Sequence, residues 1–221
     1  MTGTVVYFST CGEVPEGAFY QDGQLILRLQ GRDTVVCAET DLHLFGKHNI
    51  QNCLAAILLT YAAGAPLDVI RQVLKDFKGV EHRLEKVRTL HGVTYYNDSK
   101  GTNVDASMKA LEAFAQGHII IIAGGYDKMT PLDDFMALAA KRVDTLILIG
   151  DAAERFEAAA KKAGIQDIRR TGYSMEGAIM LARKIAKAPQ AVLLSPACSS
   201  FDMYDNFEQR GRVFKGIVNA I

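Results

Sequence analysis

Residues 119–128, IIIIAGGYDK, give the clearest structural signal in the chain. Five apolar residues followed by two glycines are typical of a strand that is buried on both faces and ends in a tight turn. Other apolar runs lie at 93–96, 145–149 and 191–194, and they alternate with helical patterns at 104–115, 132–141, 152–163, 175–186 and 207–218. This alternation predicts a Rossmann-like, doubly wound, mostly parallel α/β sheet with helices on both faces.

The region before this sheet has a different pattern. Apolar and polar residues alternate at 5–8, 24–30 and 33–39, which predicts a short strand meander, and two helical patterns follow it. These strands and helices make an incomplete layer. We therefore predict a domain boundary near residue 82, with an α/β piece at 1–82 and a complete domain at 83–221.

Composition and charge exclude several classes of partner. Lys plus Arg number 25 and Asp plus Glu number 25, so no net field holds the chain on nucleic acid or on an anionic membrane. The apolar runs are shorter than the ~20 residues that a membrane span needs. The cysteines are widely spread and form no C-x-x-C, which favours a reducing cytoplasm over a zinc site or a disulfide framework.

Two loops that follow predicted strands carry unusual chemistry, and ligands of such sheets bind beyond the carboxyl ends of the strands. Residues 97–103, NDSKGTN, place a carboxylate, an ammonium and two hydroxyls at a helix start, where the helix dipole favours an anion. Residues 124–128, GGYDK, let the backbone approach a ligand and add the cation of Lys128. The alternatives are a simple helix cap at Thr102 or Asn103 and a tight turn with an exposed lysine.

A third loop, residues 195–202, SPACSSFD, combines small residues with hydroxyls ahead of a helix that starts near Asn206. Backbone N–H groups and hydroxyl donors there would suit a carboxylate. A nucleophilic Cys198 or Ser200 is the alternative. It is disfavoured because a nucleophile needs a base, and His118 precedes a strand at the opposite end of the sheet.

Outside the sheet, residues 46–52, GKHNIQN, lead into an apolar-striped helix. Asn49 is a candidate N-cap for that helix. His48 and Asn52 lie four residues apart, so they can share a helix face, where an amide can recognise an adenine edge.

Together with residues 82–83, HR, and 206–211, NFEQRG, these segments resemble the ordered motifs of the Mur ligases, in the branch that adds D-glutamate. The resemblance spans the whole chain. It implies an ATP- and Mg-dependent ligase of peptidoglycan precursor synthesis, which joins D-glutamate to UDP-N-acetylmuramoyl-L-alanine through an acyl phosphate. It also implies that residues 1–82 are the remnant of a central ATP-binding domain and that 83–221 are the amino-acid-binding domain.

The resemblance implies site residues in three groups. The first contacts ATP and comprises Asn49, Asn52, Arg83 and Asp98. The second holds the two carboxylates of D-glutamate and comprises Thr102 with Lys128, and Ser200 with the backbone of Phe207. The third acts in catalysis and comprises Lys100 and Lys128.

The sequence contains no phosphate-cradling G-x-x-x-x-G-K-[ST] motif. We therefore expect a ligase fragment that is inactive alone and provides no metal ligands, with the phosphate- and magnesium-holding parts outside it. We also expect a monomer. The main alternative is a stand-alone module that binds an amino acid or a nucleotide without catalysis. A cofactor-binding oxidoreductase domain is less consistent with the sequence, because the G-x-G-x-x-G fingerprint is missing.

Overall fold

The structure is a computed structural model that describes residues 5–44, 46–114 and 118–221. The chain divides into two compact units, residues 1–79 and 80–221. The boundary that the sequence predicts after residue 82 lies three residues beyond this division.

The first unit is a small α/β layer. Its strands are β1 (Tyr7–Ser9), β2 (Gly17–Gln21), β3 (Gln24–Leu29) and β4 (Arg32–Ala38), and its helices are α1 (Lys47–Ala62) and α2 (Leu67–Asp76). The strands follow one another across the sheet, with β1 parallel to β2 and the other pairs antiparallel. The apolar stripe of α1, including Leu54 and Ile57, is buried in one cluster with Leu25 and Leu27 of the sheet.

The second unit is built on one six-stranded sheet. Its strands are β5 (Glu85–Leu90), β6 (Val93–Asn97), β7 (Ile119–Gly124), β8 (Val143–Ile149), β9 (Ile168–Arg170) and β10 (Ala191–Leu194). Its helices are α3 (Val104–Glu112), α4 (Asp133–Ala139), α5 (Ala153–Lys162), α6 (Met175–Ile185) and α7 (Phe207–Ala220). The predicted helix at 104–115 therefore ends earlier than expected, and residue 115 lies outside the described residues.

The sheet order is β5-β6-β10-β7-β8-β9, with β5 antiparallel to β6 and every other neighbouring pair parallel. Helices α6 and α7 pack on one face, in a cluster that includes Ile120, Ile122 and Val192. Helix α4 contacts both α3 and α5, and the buried residues Phe135 and Phe156 pair edge to face between α4 and α5. The predicted doubly wound, mostly parallel α/β fold is confirmed.

This topology brings the carboxyl ends of β6, β7, β8 and β10 to one edge of the sheet, because these strands run parallel. The loops that leave them carry the polar segments singled out in the sequence. Among the described residues, no helix has both the length and the apolar character that crossing a bilayer requires.

Candidate functional site

The loops after β7 and β10 are joined by backbone hydrogen bonds at the carboxyl edge. The N–H of Tyr126 donates to the carbonyl of Ser199 at 3.0 Å, and the N–H of Gly124 donates to the carbonyl of Pro196 at 2.9 Å. The loop after β8 joins them, since the N–H of Ala152 donates to the Gly125 carbonyl at 2.9 Å. These bonds link the loops after β7, β8 and β10 into one hydrogen-bonded platform at the edge of the sheet.

The paired glycines of the loop after β7 are required by this close approach. Gly124 has φ +108° and Gly125 has φ +133°, values that L side chains rarely adopt. A Cβ on Gly124 would lie 2.1 Å from the carbonyl oxygen of Ile149, and one on Gly125 would lie 2.4 Å from that of Ser199. Neither position has room for a side chain.

Lys128 and Thr102 come together from different loops. The Lys128 ammonium donates to the Thr102 carbonyl oxygen at 2.5 Å. Asn103 is the N-cap of α3, and its side chain accepts from the N–H of Ala106 at 2.8 Å, so the predicted cap is confirmed there. Thr102 is left outside the helix, beside a cation whose hydrogen bond ends on a neutral oxygen.

Lys100 lies beside the start of α7. Its ammonium is 5.9 Å from the centroid of the Phe207 ring, and its backbone N–H donates to the His82 carbonyl at 3.0 Å. Ser99, the preceding residue, donates its hydroxyl to the Phe207 carbonyl at 2.8 Å. The loop after β6 is therefore fixed to the first turn of α7.

Ser200 and Phe207 stand on the third loop and on the helix that follows it. Ser200 is only 2% exposed, whereas the next residue, Phe201, is 69% exposed. Phe207 is the first residue of α7, and Asn206 caps the helix by accepting the N–H of Gln209 at 2.7 Å. Because α7 begins at Phe207, the N–H groups of its first turn have no acceptor within the helix.

Asp98 is a buried carboxylate, 5% exposed, and both of its oxygens are engaged within the protein. Oδ1 accepts the N–H of Leu84 at 3.1 Å and Oδ2 accepts the hydroxyl of Ser195 at 2.7 Å. Burial raises the pKa of Asp98 to about 6, although its hydrogen bonds and the nearby Arg83 act against that rise. Asp98 thus fixes the backbone next to Arg83, whose side chain is exposed.

His82 is held in one tautomer by Asn97. The Asn97 Oδ1 accepts the N–H of Ser99 at 3.1 Å, and its Nδ2 donates to a Glu85 carboxylate at 3.1 Å, which sets the amide orientation. The same Nδ2 lies 2.9 Å from His82 Nδ1, so Nδ1 accepts and the neutral ring carries its proton on Nε2. Burial lowers the pKa of His82, which favours this neutral form.

The ligand atoms of Glu81, His82 and Glu85 lie within 4.8 Å of one another, a spacing that a metal ion could bridge. Lys215 pairs with both carboxylates, 3.1 Å from Glu81 and also in contact with Glu85. A metal-bound histidine normally donates its second ring N–H to an acceptor, whereas His82 Nδ1 accepts from Asn97. The arrangement favours an ion-pair network over a metal centre.

Asn49 and Asn52 belong to the first unit. Helix α1 begins at Lys47 with Gly46 at its N-cap, so the alternative that Asn49 caps the helix is wrong. Asn49 is buried and Asn52 is exposed, and the Asn52 amide donates to Asn49 Oδ1 at 3.5 Å. Asn52 is therefore accessible at the surface of the unit, while its amide nitrogen contacts Asn49.

The alternative of a cysteine nucleophile is poorly supported. Cys198 is buried, and that burial raises the pKa of its thiol to about 12, so the thiolate is scarce at neutral pH. His118 stands before β7, at the amino end of the strand, where its ring is 3.4 Å from Asp144.

Arg210 is a functional candidate that the sequence reasoning missed. It is 1% exposed, and its guanidinium donates to oxygens of Ser99, Cys198 and Ser199. The available signal was its position on the buried stripe of α7, in register with Phe214. A charged residue on such a stripe indicates a specific internal partner.

Comparisons with known proteins find related sequences over most of the chain. Residues 82–198 match the family model described as "Mur ligase, glutamate ligase domain". Relatives named "UDP-N-acetylmuramoylalanine--D-glutamate ligase" include one from Lachnospira eligens, 45% identical over 98% of this chain and 48% of its own length. Another, from Clostridioides difficile, is 42% identical over 98% of this chain and 48% of its own length. The chain spans about half the length of the curated relatives it matches.

Solved structures support the fold. A pseudomurein peptide ligase type C from Methanothermus fervidus superposes with a TM-score of 0.66 at 19% identity, over 94% of this chain and 42% of that one. The folylpolyglutamate synthase of Mycobacterium tuberculosis gives 0.64 at 15% identity, over 90% and 46%. Since the family model covers more than half of the 221 residues, the chain belongs to the Mur ligase family, in which it carries the glutamate ligase domain.

Proposed function

We propose that this chain is the amino-acid-binding part of a ligase that joins D-glutamate to UDP-N-acetylmuramoyl-L-alanine with ATP, in peptidoglycan precursor synthesis. The observation that carries the proposal is the meeting of Lys128 and Thr102 at the carboxyl edge of the sheet. The names of relatives that match almost the whole chain support it. The four unpaired cysteines are consistent with a cytoplasmic location for the protein.

D-Glutamate has two carboxylates, and the proposal assigns each to a separate seat. Lys128 and Thr102 form the first seat. The Lys128 ammonium donates a hydrogen bond to the neutral carbonyl of Thr102, and it can donate instead to a bound carboxylate. Ser200 and the backbone N–H of Phe207 form the second seat, at the N-terminus of α7. Two seats on one bonded platform would hold the amino acid in a fixed orientation.

The chemistry of the proposed reaction is nucleophilic acyl transfer. ATP supplies the phosphoryl group that converts the alanine carboxylate of the UDP-sugar into an acyl phosphate. The amine of D-glutamate then attacks the acyl carbon, the C–N bond forms, the C–O bond to phosphate breaks, and the amine loses a proton. The residues of this chain contribute orientation and charge, with Lys100 and Lys128 proposed to steady the anionic intermediate.

The nucleotide and the metal fit this chain differently. Asn52 and Arg83 have exposed polar groups that suit the base and ribose of ATP, whereas Asp98 acts through the backbone beside Arg83. The cluster of Glu81, His82 and Glu85 does not suit magnesium, because the carboxylates of Glu81 and Glu85 are already paired with Lys215. No step of the proposal is assigned to a metal held by this chain.

The test is an exchange protein, in which this chain replaces the 218 matched residues of the Lachnospira eligens relative. We expect phosphate release that depends on D-glutamate. Lys128→Ala and Ser200→Ala should each raise the D-glutamate KM about ten- to a hundredfold, the effect of one charge-assisted hydrogen bond of about 1.5–3 kcal/mol. Lys128→Ala should also lower kcat, because Lys128 is proposed to steady the anionic intermediate. Lys141→Ala, at an exposed lysine before β8, is the control.

The half-reactions separate binding from phosphoryl transfer. Positional isotope exchange in ATP, which reports acyl-phosphate formation, should survive both substitutions at the carboxylate seats. The proposal fails if the exchange protein uses another amino acid in preference to D-glutamate. The assignment of the seats fails if both variants keep normal D-glutamate kinetics, or if both lose isotope exchange.

A further inference from the structure

Arg210 is a buried cation whose described hydrogen bonds end on neutral oxygens. Its Nε donates to Ser99 Oγ at 3.0 Å and its Nη2 donates to the Ser99 carbonyl at 2.8 Å. Its Nη1 donates to the carbonyls of Cys198 and Ser199, both at 3.1 Å. A guanidinium presents its donors in a rigid planar fork, so these four bonds fix the relative positions of their acceptors.

The acceptors belong to two different loops. Ser99 lies on the loop after β6, and Cys198 and Ser199 lie on the loop after β10. The Ser99 hydroxyl donates in turn to the carbonyl of Phe207 at 2.8 Å, which adds the first turn of α7 to the same network. One guanidinium therefore sets the spacing of three separate segments.

Each of these segments carries a proposed contact to D-glutamate. Thr102 follows Ser99 by three residues, Ser200 follows Ser199 directly, and Phe207 is itself bonded to Ser99. We propose that Arg210 is a positioning residue that sets the distance between the two carboxylate seats, and that it thereby selects a five-carbon over a four-carbon dicarboxylic amino acid. This inference rests on the proposed function.

Burial makes the arrangement stiff. Arg210 is 1% exposed, and burial lowers its pKa to about 10, which still leaves the cation charged at neutral pH. If either loop moves away, a buried positive charge loses the oxygens that replace its water shell, and such a state is costly. The distance between the seats is therefore held to one value, and a ligand shorter by one methylene cannot reach both seats.

The test uses the exchange protein defined above and compares D-glutamate with D-aspartate. Arg210→Lys keeps the charge and loses the fork, while Ser99→Ala removes the hydroxyl and leaves the Nη2 bond to the backbone. Arg212→Lys is the matched control, because Arg212 is exposed on the same helix. We expect the kcat/KM preference for D-glutamate over D-aspartate to fall at least about tenfold in Arg210→Lys, since a misplacement of about 1 Å can cost about a hundredfold.

Ser99→Ala should lower the preference in the same direction by a smaller factor, and it decides the question if Arg210→Lys does not fold. Positional isotope exchange should stay unchanged in both variants, whereas general damage to the fold would lower it. Equal losses for both amino acids, or an unchanged preference, would overturn the inference. An exchange protein without D-glutamate-dependent turnover would instead refute the proposed function, so the two failures are distinguishable.

Discussion

The burial of the Asp98 carboxylate leads us to a specific prediction about how the stability of the fold depends on pH. Asp98→Asn keeps an acceptor for the Leu84 N–H, and its amide can donate to the Ser195 hydroxyl oxygen. That hydroxyl can then turn its hydrogen toward Ser107, whose oxygen is 2.9 Å away. The substitution therefore removes the buried charge and leaves its hydrogen-bond partners satisfied.

The expected difference in unfolding free energy between Asp98→Asn and wild type follows from the pKa of Asp98. Burial raises the pKa of Asp98 from 3.8 to about 6, so the folded chain binds this proton more tightly than the unfolded chain does. Stability from this proton is fully present below pH 3.8 and is lost as the pH rises through about 6. A shift of about two units corresponds to about 3 kcal/mol, so the stability of Asp98→Asn relative to wild type should grow by about that amount between pH 4 and pH 8.

Urea unfolding at several pH values, followed by hydrogen exchange of peptides from β6 and β10, measures this difference in the second unit alone. Asp127→Asn is a control of opposite sign. Hydrogen bonds from Arg155 lower the pKa of Asp127, so its contribution is present at neutral pH and is lost as the pH falls. If the difference between Asp98→Asn and wild type stays flat from pH 4 to pH 8, the reasoning about a desolvated Asp98 is refuted.

Two further outcomes are expected. The 221-residue chain alone should release no phosphate from ATP when D-glutamate and UDP-N-acetylmuramoyl-L-alanine are added, because its sequence has no phosphate-cradling loop. Turnover on the order of 1 to 10³ per second would contradict this expectation. Gly211→Ala should destabilise the chain by about 1–3 kcal/mol in urea unfolding, because a Cβ would lie 2.2 Å from His82 Nδ1. Gly216→Ala, on the same helix with open space around it, should stabilise by about 0.5–1 kcal/mol, and a similar effect at both positions would count against the packing argument.

The central strands were predictable because strands buried on both faces need apolar residues at nearly every position. Strands β7 and β10 are buried along their whole length, so both appear as uninterrupted apolar runs. Strands β5 and β9 lie at the two edges of the sheet, where polar and charged residues are tolerated, and the apolar pattern missed them. Strand β2 was missed as well, although it is buried at Gly17, Ala18 and Phe19.

The candidate site was predictable only in part. The loops at the carboxyl edge follow from topology, and the resemblance to the Mur ligases indicates Thr102, Lys128 and Ser200 within them. Their roles toward a ligand remain predictions. The inward position of Arg210 depends on carbonyls from loops more than ten and more than a hundred residues away in sequence, which local patterns do not encode.

The glycine pair at 124–125 limits how the proposed amino-acid site can be altered. Any side chain there would force the strand end away from neighbouring carbonyls, so libraries that vary these positions would mostly sample unfolded or displaced loops. Tyr126, the next residue, is 47% exposed, and its backbone N–H donates to the carbonyl of Ser199. Redesign of the proposed site is therefore best begun at Tyr126, where side-chain chemistry can change while the hydrogen-bonded loops beneath it keep their shape.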